Sequence, residues 1–150
     1  MYFVGLDIGS LSCDAVLIDE KKNILSSSVI PTGVKNIESI ARVKKNILDA
    51  SGIMEKDIRS IISTGYGRTR VKERDGAVTE ITCHAKGIKY VIPETRILID
   101  IGGQDSKAIH LDPDGNVVDF AMNDKPWQGL WKWISTNWET WTKERQATLS

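Results

Sequence analysis

The sequence predicts an α/β protein with two related lobes, the first complete and the second only begun. The main observation is a repeat. The repeated pattern begins at Val4 and again at Arg96. It consists of an apolar strand that ends in Asp-x-Gly, then a second strand, a polar turn and a third strand. Self-similarity of this kind, here about 93 residues apart, indicates a duplicated structural unit. Between the copies, apolar residues from Ile37 to Leu48 recur at helical spacing and predict a helix that covers the first sheet.

The first lobe is predicted to contain three strands, a helix, a fourth strand and a second helix. Tight polar turns separate the first three strands, so we expect an antiparallel meander. Ser51-Gly52 ends the first helix, and Thr79 is a candidate N-cap for the second. The predicted strands are Tyr2–Ile8, Ala15–Ile18, Ile24–Ile30 and Arg59–Ser63, and the predicted helices are Lys35–Ala50 and Glu80–Tyr90.

The second copy starts with a strand that runs from Arg96 into Asp100-Ile101-Gly102-Gly103. Strands at Ser106–Leu111 and Asn116–Ala121 follow, and Pro113-Asp114-Gly115 predicts the turn between them. The rest of the chain is a tail that holds all five tryptophans. We therefore expect a first lobe, the start of a second lobe and an atypical tail, over residues 1–92, 93–125 and 126–150.

Composition excludes several classes of protein. The chain has 150 residues, 20 basic and 20 acidic side chains and a net charge of zero, so it carries no electrostatic footprint for nucleic acid. A hydrophobic fraction of 41% argues against wholesale disorder. No apolar run is long enough to span a bilayer, and the N-terminus lacks the pattern of a secretory signal. Two cysteines form neither a disulfide framework nor a closed metal site. We expect a cytoplasmic protein with no membrane or nucleic-acid partner.

The two Asp-x-Gly loops are the candidate site. Glycines let successive backbone N–H groups point at one anion. Mg²⁺ commonly bridges carboxylates and phosphate oxygens through its retained waters. Asp7 and Asp100, facing each other across a cleft, would therefore clamp a polyphosphate, with added contacts from Ser10, Ser12, Gln104, Ser106 and Lys107. The alternative for either loop alone is a plain turn. Neither the P-loop pattern GxxxxGK[ST] nor GxGxxG is present.

Five motifs carry a resemblance to a known family. They are Gly5-Leu6-Asp7-Ile8-Gly9-Ser10, Ser63-Thr64-Gly65-Tyr66-Gly67-Arg68, Glu80-Ile81-Thr82-Cys83-His84-Ala85-Lys86-Gly87, Asp100-Ile101-Gly102-Gly103-Gln104-Asp105-Ser106-Lys107 and Phe120-Ala121-Met122-Asn123-Asp124-Lys125. In order and spacing, they resemble the ATP-dependent activator (component A) of 2-hydroxyacyl-CoA dehydratases and the related benzoyl-CoA reductase ATPase subunits. The resemblance covers residues 1–125. It implies the ribonuclease H-like, actin-like ATPase fold of the acetate and sugar kinase–Hsp70–actin superfamily.

The resemblance also implies an activity and a set of site residues. Members of the family are homodimeric, oxygen-sensitive iron–sulfur proteins that hydrolyse ATP to drive an electron into a partner dehydratase. By resemblance, Asp7, Asp100 and Gln104 are the catalytic residues, and Asp7 and Asp100 hold Mg²⁺ through water. The implied nucleotide-binding residues are Gly9, Ser10, Leu11, Ser12, Gly102, Gly103, Gln104 and Lys107. Many relatives carry Lys where this chain has Asp14, and we expect Asp14 to point away from the phosphates.

The resemblance breaks after Lys125. In the family, a cysteine that ligates a shared 4Fe–4S cluster comes next, whereas this chain continues with Pro126 and Trp127. Because cluster ligation needs several converging thiolates, we expect no iron–sulfur ligand here and weak or lost MgATP binding. We interpret the chain as a truncated or frame-disrupted version of the activator, with an aromatic docking surface as the alternative interpretation of the tail. Whether it is still an enzyme stays open.

Two other functions remain as alternatives. One is a non-catalytic, dimerising fragment, and the other is a small-molecule kinase of the same superfamily. Among single residues, Cys83 and His84 are adjacent on a helix and do not face each other, so packing and hydrogen bonding is the favoured role for both. Cys13 is expected to be a small buried residue. The turn from Thr64 to Gly67 is either a plain turn or, as the resemblance implies, a turn near the lobe interface that approaches the nucleotide or moves as a hinge.

Overall fold

The computed structural model describes residues 1–34, 36–102 and 105–123, with the backbone only for Asn123. They divide into two compact units between Glu80 and Ile81. The eight strands are β1 Tyr2–Ile8, β2 Ser12–Asp19, β3 Ile24–Pro31, β4 Ile58–Thr64, β5 Gly76–Ala77, β6 Ile97–Ile101, β7 Ser106–Leu111 and β8 Val117–Asn123. The helices are α1 Asn36–Ser51 and α2 Glu80–Val91, and Glu55–Asp57 and Arg68–Arg70 form single 3₁₀ turns. None of the described helices is long and apolar enough to cross a bilayer.

The first unit is a five-stranded sheet in the order β3-β2-β1-β4-β5. The antiparallel meander β1-β2-β3 is confirmed, and β4 then pairs parallel to β1 after the crossover through α1. Alternate residues of β1 and β2 enter the core, where the apolar face of α1 covers them. The fully buried side chains at this interface include Leu6, Leu17, Val43 and Ile47. The central strand β1 is therefore fixed from both sides, and its carboxyl end is held in place.

The second unit is a three-stranded antiparallel sheet in the order β6-β7-β8, with α2 packed on one face. Its core joins Ala85 of α2 to Ile109 and Leu111 of β7. The predicted lobe boundary near residue 92 placed this helix with the first lobe, whereas its apolar contacts group it with the second sheet. Periodicity predicts that a helix has an apolar face but not which sheet that face covers.

The two meanders share the same local geometry. Within each hairpin, the glycine N–H donates to the carbonyl three residues later, from Gly9 to Ser12 and from Gly102 to Asp105, at 2.9 Å in both. Positions 93 apart also have matching strand registers, since Asp7 pairs with Asp14 and Asp100 pairs with Lys107. An irregularity in pairing follows Leu17 in the first copy and His110 in the second. The repeat inferred from the sequence is therefore also a structural repeat.

In both meanders, the turn between the second and third strands is held by an Asp and by an Asn four residues after it. Asn23 donates through its backbone N–H (2.9 Å) and side-chain amide (2.8 Å) to the two oxygens of Asp19. Asn116 makes the same two bonds to Asp112, at 2.8 and 2.9 Å. The residue before each Asn has a positive φ, 66° at Lys22 and 78° at Gly115. These bonds, with the side-chain bond the leading cause in each turn, lower the pKa of both carboxyls below the usual range.

We expect Asn23→Ala to raise the pKa of Asp19 towards its ordinary value, because the side-chain donor is lost. A carboxyl with a lowered pKa stabilises the fold above its ordinary pKa of about 4, and this stabilisation is lost as the pH falls through the folded value. The acid limb of the unfolding curve should therefore flatten in the variant. Carboxyl NMR titration measures the effect, with Asp112 as the internal control. Asn116→Ala should give the reverse pattern, and equal shifts at both aspartates would contradict the assignment.

Candidate functional site

Asp7 lies at the carboxyl end of β1, in the middle of the first sheet. Its register partners are Asp14 on β2 and Thr64 on β4. Because directly opposed residues share one face of a sheet, the three polar side chains form a row across it. The Ser12 hydroxyl donates to Asp14 Oδ2 at 3.2 Å. Antiparallel pairing places Asp14 beside Asp7, whereas the expectation from the sequence is that Asp14 points away from the phosphates.

The oxygens of this row suit a hard cation. Asp14 Oδ1 and Thr64 Oγ1 are buried, and neither has a hydrogen-bond partner among the described residues. A buried oxygen without a partner costs free energy unless water or an ion satisfies it. Mg²⁺ prefers oxygen ligands and keeps several of its own waters. The oxygen atoms of Asp14 and Thr64 therefore fit as ligands of a hydrated Mg²⁺ beside Asp7.

The loop from Gly9 to Ser12 turns its backbone towards the interior of the unit. Thr32, which is 2% exposed, donates through its hydroxyl to the Gly9 carbonyl (2.8 Å) and through its N–H to the Leu11 carbonyl (2.9 Å). In a planar trans peptide, the C=O and the following N–H point in opposite directions. The N–H of Ser10 therefore points away from Thr32, on a loop whose residues Ser10 and Leu11 are exposed. This geometry is suitable for binding an anion, and sequence reasoning missed Thr32 because it lies 23 residues from Gly9.

The glycine turn after β4 packs on the end of β1. Gly65 has a φ of 82°, and a Cβ there would lie 2.3 Å from Asp7 Oδ1 and 2.7 Å from the Ile8 carbonyl oxygen. The Gly67 N–H donates to the same carbonyl at 2.9 Å. Of the two alternatives left by the sequence, a plain turn and an approach to the site, the structure shows a turn in contact with Asp7. Thr64 and Gly65 are neighbours of Asp7 that the predicted set of site residues did not include.

Asp100 lies in β6 and is held by two side chains of the second unit. Its Oδ2 lies 3.5 Å from His84 Nδ1 and 3.6 Å from Lys107 Nζ. Lys107 is 3% exposed, and its ammonium also contacts the Asp105 carboxylate. Gly102 lies in the adjoining turn, whereas the predicted residues Gly103 and Gln104 lie outside the described part of the chain.

The sequence predicts packing and hydrogen bonding for His84, because it cannot face Cys83, its neighbour on the helix. That argument about the pair holds, but α2 places His84 in the same stripe as Ile81, Ala85 and Ile88, which pack on the second sheet. Spacing of i, i+3, i+4 and i+7 marks this stripe in the sequence. The stripe was the signal that could have identified His84 as a neighbour of β6.

The pKa of Cys13 is affected by the negative charges of Asp7 and Asp14. It is fully buried in β2, as the sequence predicted. Burial, then the charges of Asp14 and of Asp7, raise the pKa of its thiol from 9.0 to about 11. The thiol is therefore protonated at neutral pH and is not a nucleophile. Both carboxylates lie close enough to act on the same group, which agrees with their strand register.

A groove of about 340 Å³ runs along α1 on the first unit. Among the residues that line it, Lys44 pairs with Glu55 at 2.8 Å and with Glu73 at 2.7 Å. Four basic and three acidic side chains line the groove, and none of the predicted site residues lines it. Within its own unit, each predicted aspartate lies at the end of a strand, Asp7 in β1 and Asp100 in β6.

A sequence model of the BadF/BadG/BcrA/BcrD ATPase family matches residues 4–129. The chain belongs to this family. Among curated members, the activator of lactoyl-CoA dehydratase from Anaerotignum propionicum is 42% identical over 125 residues, which are 83% of this chain and 48% of that protein. The 2-hydroxyisocaproyl-CoA dehydratase activator from Clostridioides difficile is 40% identical over 83% of this chain and 47% of its own length. The chain spans about half the length of the curated relatives it matches.

Solved structures of family members confirm the α/β fold of the actin-like ATPases, including its ribonuclease H-like first lobe. The Clostridium difficile activator of the 2-hydroxyisocaproyl-CoA dehydratase, solved with bound ADPNP, superposes with a TM-score of 0.77 at 40% identity, over 83% of this chain and 46% of that one. Component A of the Acidaminococcus fermentans (R)-2-hydroxyglutaryl-CoA dehydratase gives 0.78 at 32% identity, over 83% and 48%. The family resemblance expected from the five motifs is thereby confirmed.

Proposed function

We propose that this chain carries the phosphate- and Mg²⁺-binding part of an ATP-dependent activator of a 2-hydroxyacyl-CoA dehydratase. The observation that supports it is the pair of structurally matched loops, each with an aspartate at the end of its first strand and a glycine that closes the hairpin. In the proposal, Asp7 and Asp100 hold the hydrated Mg²⁺, and Gly9, Ser10, Leu11, Ser12, Gly102, Gly103 and Gln104 cradle the phosphates. The bound ion would neutralise phosphate charge during hydrolysis.

Asp14 limits the affinity in this proposal. A hydrated cation accepts a second carboxylate nearby, but the phosphates of ATP carry negative charge and are repelled by it. The neighbouring carboxylates of Asp7 and Asp14 therefore weaken nucleotide binding while they attract Mg²⁺. We infer weak, Mg²⁺-dependent ATP binding by the chain.

Calorimetric titration with ATP, in excess Mg²⁺ and then in EDTA, tests this function. We expect the wild-type chain to bind MgATP more tightly than ATP alone, and Asp7→Asn to abolish the difference. Asp14→Asn should change affinity in the opposite direction, with a gain of about fivefold, because one repulsive charge is removed at a partly exposed position. Wild-type binding that is indifferent to Mg²⁺, or equal losses in both variants, would refute the proposal.

The proposal extends to partners and to the cluster. By family, a homodimer in the cytoplasm would deliver an electron to the dehydratase through a 4Fe–4S cluster. Cys13 lies buried in β2 and Cys83 lies in α2, in different units, and the chain has no other cysteine. We infer that this chain binds no cluster and drives no ATP-dependent electron transfer. Anaerobic iron reconstitution, read by the charge-transfer absorption of the cluster, should give no signal.

A disrupted reading frame after Lys125 is the proposed origin of the tryptophan-rich tail. The family match ends at residue 129, and the segment from Pro126 to Ser150 lies outside the described residues. Sequencing of the parent gene tests this. Family motifs in a second frame would support it, and an intact frame that keeps the tail in near relatives would favour a docking surface.

A further inference from the structure

We propose that His84 is a positioning residue that, together with Lys107, fixes the direction of the Asp100 carboxylate towards the Mg²⁺ of the nucleotide. The inference rests on the proposed function, because it gives His84 a role in the same site. It is carried by a buried imidazole nitrogen and a buried ammonium that both approach one oxygen of Asp100.

The first step concerns α2. Ala85, the next residue along the helix, is 1% exposed in the core with Ile109, so the helix cannot turn without breaking that contact. His84 is thereby held over β6, with its buried Nδ1 3.5 Å from Asp100 Oδ2. The packing of Ala85 therefore fixes the position of the helix that carries His84.

The second step concerns the carboxylate. Lys107 reaches the same oxygen, Oδ2, from the neighbouring strand at 3.6 Å. A buried ammonium is costly unless it is paired, and Asp105 and Asp100 provide those pairs within the unit. Because both neighbours approach Oδ2, that oxygen faces the protein, and Oδ1 points in a different direction. An ion that reaches Asp100 through water would then be met by Oδ1.

The third step is the contrast between the two copies of the repeat. Asp7 has a carboxylate, Asp14, as its register partner, whereas Asp100 has an ammonium, Lys107, at the equivalent position. The first copy thus supplies excess negative charge for a cation, and the second supplies a carboxylate of fixed direction. A fixed carboxylate loses less conformational freedom when it binds, which is how outer neighbours strengthen metal sites.

The test compares His84→Leu with His84→Asn, whose amide nitrogen can take the place of Nδ1. Titration of the 150-residue chain with ATP, in Mg²⁺ and in EDTA, separates the ion-dependent gain in affinity from binding of the bare nucleotide. We expect His84→Leu to lower that gain about tenfold and to leave affinity in EDTA unchanged, while His84→Asn keeps most of it. Cys83→Ala, on the same helix, is the matched control and should behave as wild type.

A second measurement distinguishes failure of this inference from failure of the proposed function. Without nucleotide, the melting temperatures of His84→Leu, Asp100→Asn and the double variant form a cycle, which should be non-additive because the two side chains interact. If the wild type shows no Mg²⁺-dependent gain, the proposed function fails, and an additive cycle then overturns the contact as well. If the wild type shows the gain and His84→Leu keeps it, the positioning role alone is overturned. Equal losses in Mg²⁺ and in EDTA would likewise refute it, since they indicate general damage.

Discussion

Replacement of Gly65 by alanine is expected to destabilise the first unit by about 2–5 kcal/mol and to abolish Mg²⁺-dependent ATP binding. The positive φ of 82° costs an L-residue about 1–2 kcal/mol. The added Cβ would also lie 2.3 Å from Asp7 Oδ1 and 2.7 Å from backbone oxygen, and overpacking of this kind costs about 1–3 kcal/mol more. Any relaxation must move Asp7, because the Ile8 carbonyl is held by Gly67. Stability and binding should therefore be lost together.

Urea unfolding followed by circular dichroism, with calorimetry of MgATP, measures both losses. Gly52→Ala is the matched control, because Gly52 has a similar φ of 70° but no heavy atom within 4 Å of the added Cβ. The Gly52→Ala variant should lose only the free energy that a positive φ costs an L-residue, and it should bind MgATP as wild type does. Equal destabilisation by the two substitutions would show that the contact with Asp7 contributes nothing.

Cys13 should make the fold sensitive to alkaline pH. Burial and the charges of Asp14 and Asp7 raise its pKa to about 11 in the folded state, from 9.0 in the reference state. Between these values, the unfolded chain loses the thiol proton while the folded chain keeps it, so stability falls as the pH rises. At about 1.4 kcal/mol per pH unit, this group removes about 2–3 kcal/mol between pH 9 and 11. Its contribution is constant below pH 9.

The measurement is the difference in unfolding free energy between wild type and Cys13→Ala, taken in EDTA from pH 7 to 11. The variant is expected to lose packing at every pH, but its stability should decline less steeply above pH 9. Val43→Ala removes a buried side chain that does not titrate, so its curve should run parallel to that of wild type. A parallel curve for Cys13→Ala would contradict the raised pKa.

The strands and the repeat could be predicted from the sequence because each depends on local pattern. Apolar runs broken by polar turns define β1, β2 and β3, and the Asp-x-Gly loops define the ends of β1 and β6. β5 could not be predicted, since its two residues pair with β4 only through tertiary contact. The helices were placed within a residue at their described ends, but the sheet covered by α2 was not, because an apolar stripe is the same whichever partner it meets.

The two aspartates of the proposed site could be singled out from the sequence, whereas their neighbours in the structure could not. Asp7 and Asp100 stand out because a carboxylate ends an apolar strand before glycine. The position of Asp14 depends on strand register, which hairpin length sets and composition does not reveal. Gly65 and His84 reach the two aspartates from other elements, at separations of 58 and 16 positions. Such contacts arise from packing, and no short motif encodes them.

The repetition of the meander is relevant to the evolutionary origin of this protein. The Asp–Asn turn bonds, the glycine hydrogen bonds and the pairing irregularity all recur 93 residues apart. The residues opposite the two aspartates, Asp14 and Lys107, carry opposite charge. A gene segment that was copied and fused would leave this record: geometry inherited in common, electrostatics diverged. The two meanders therefore share their registers and turn hydrogen bonds while the side chains opposite their aspartates differ, so each meander can serve as a reference for substitutions made in the other.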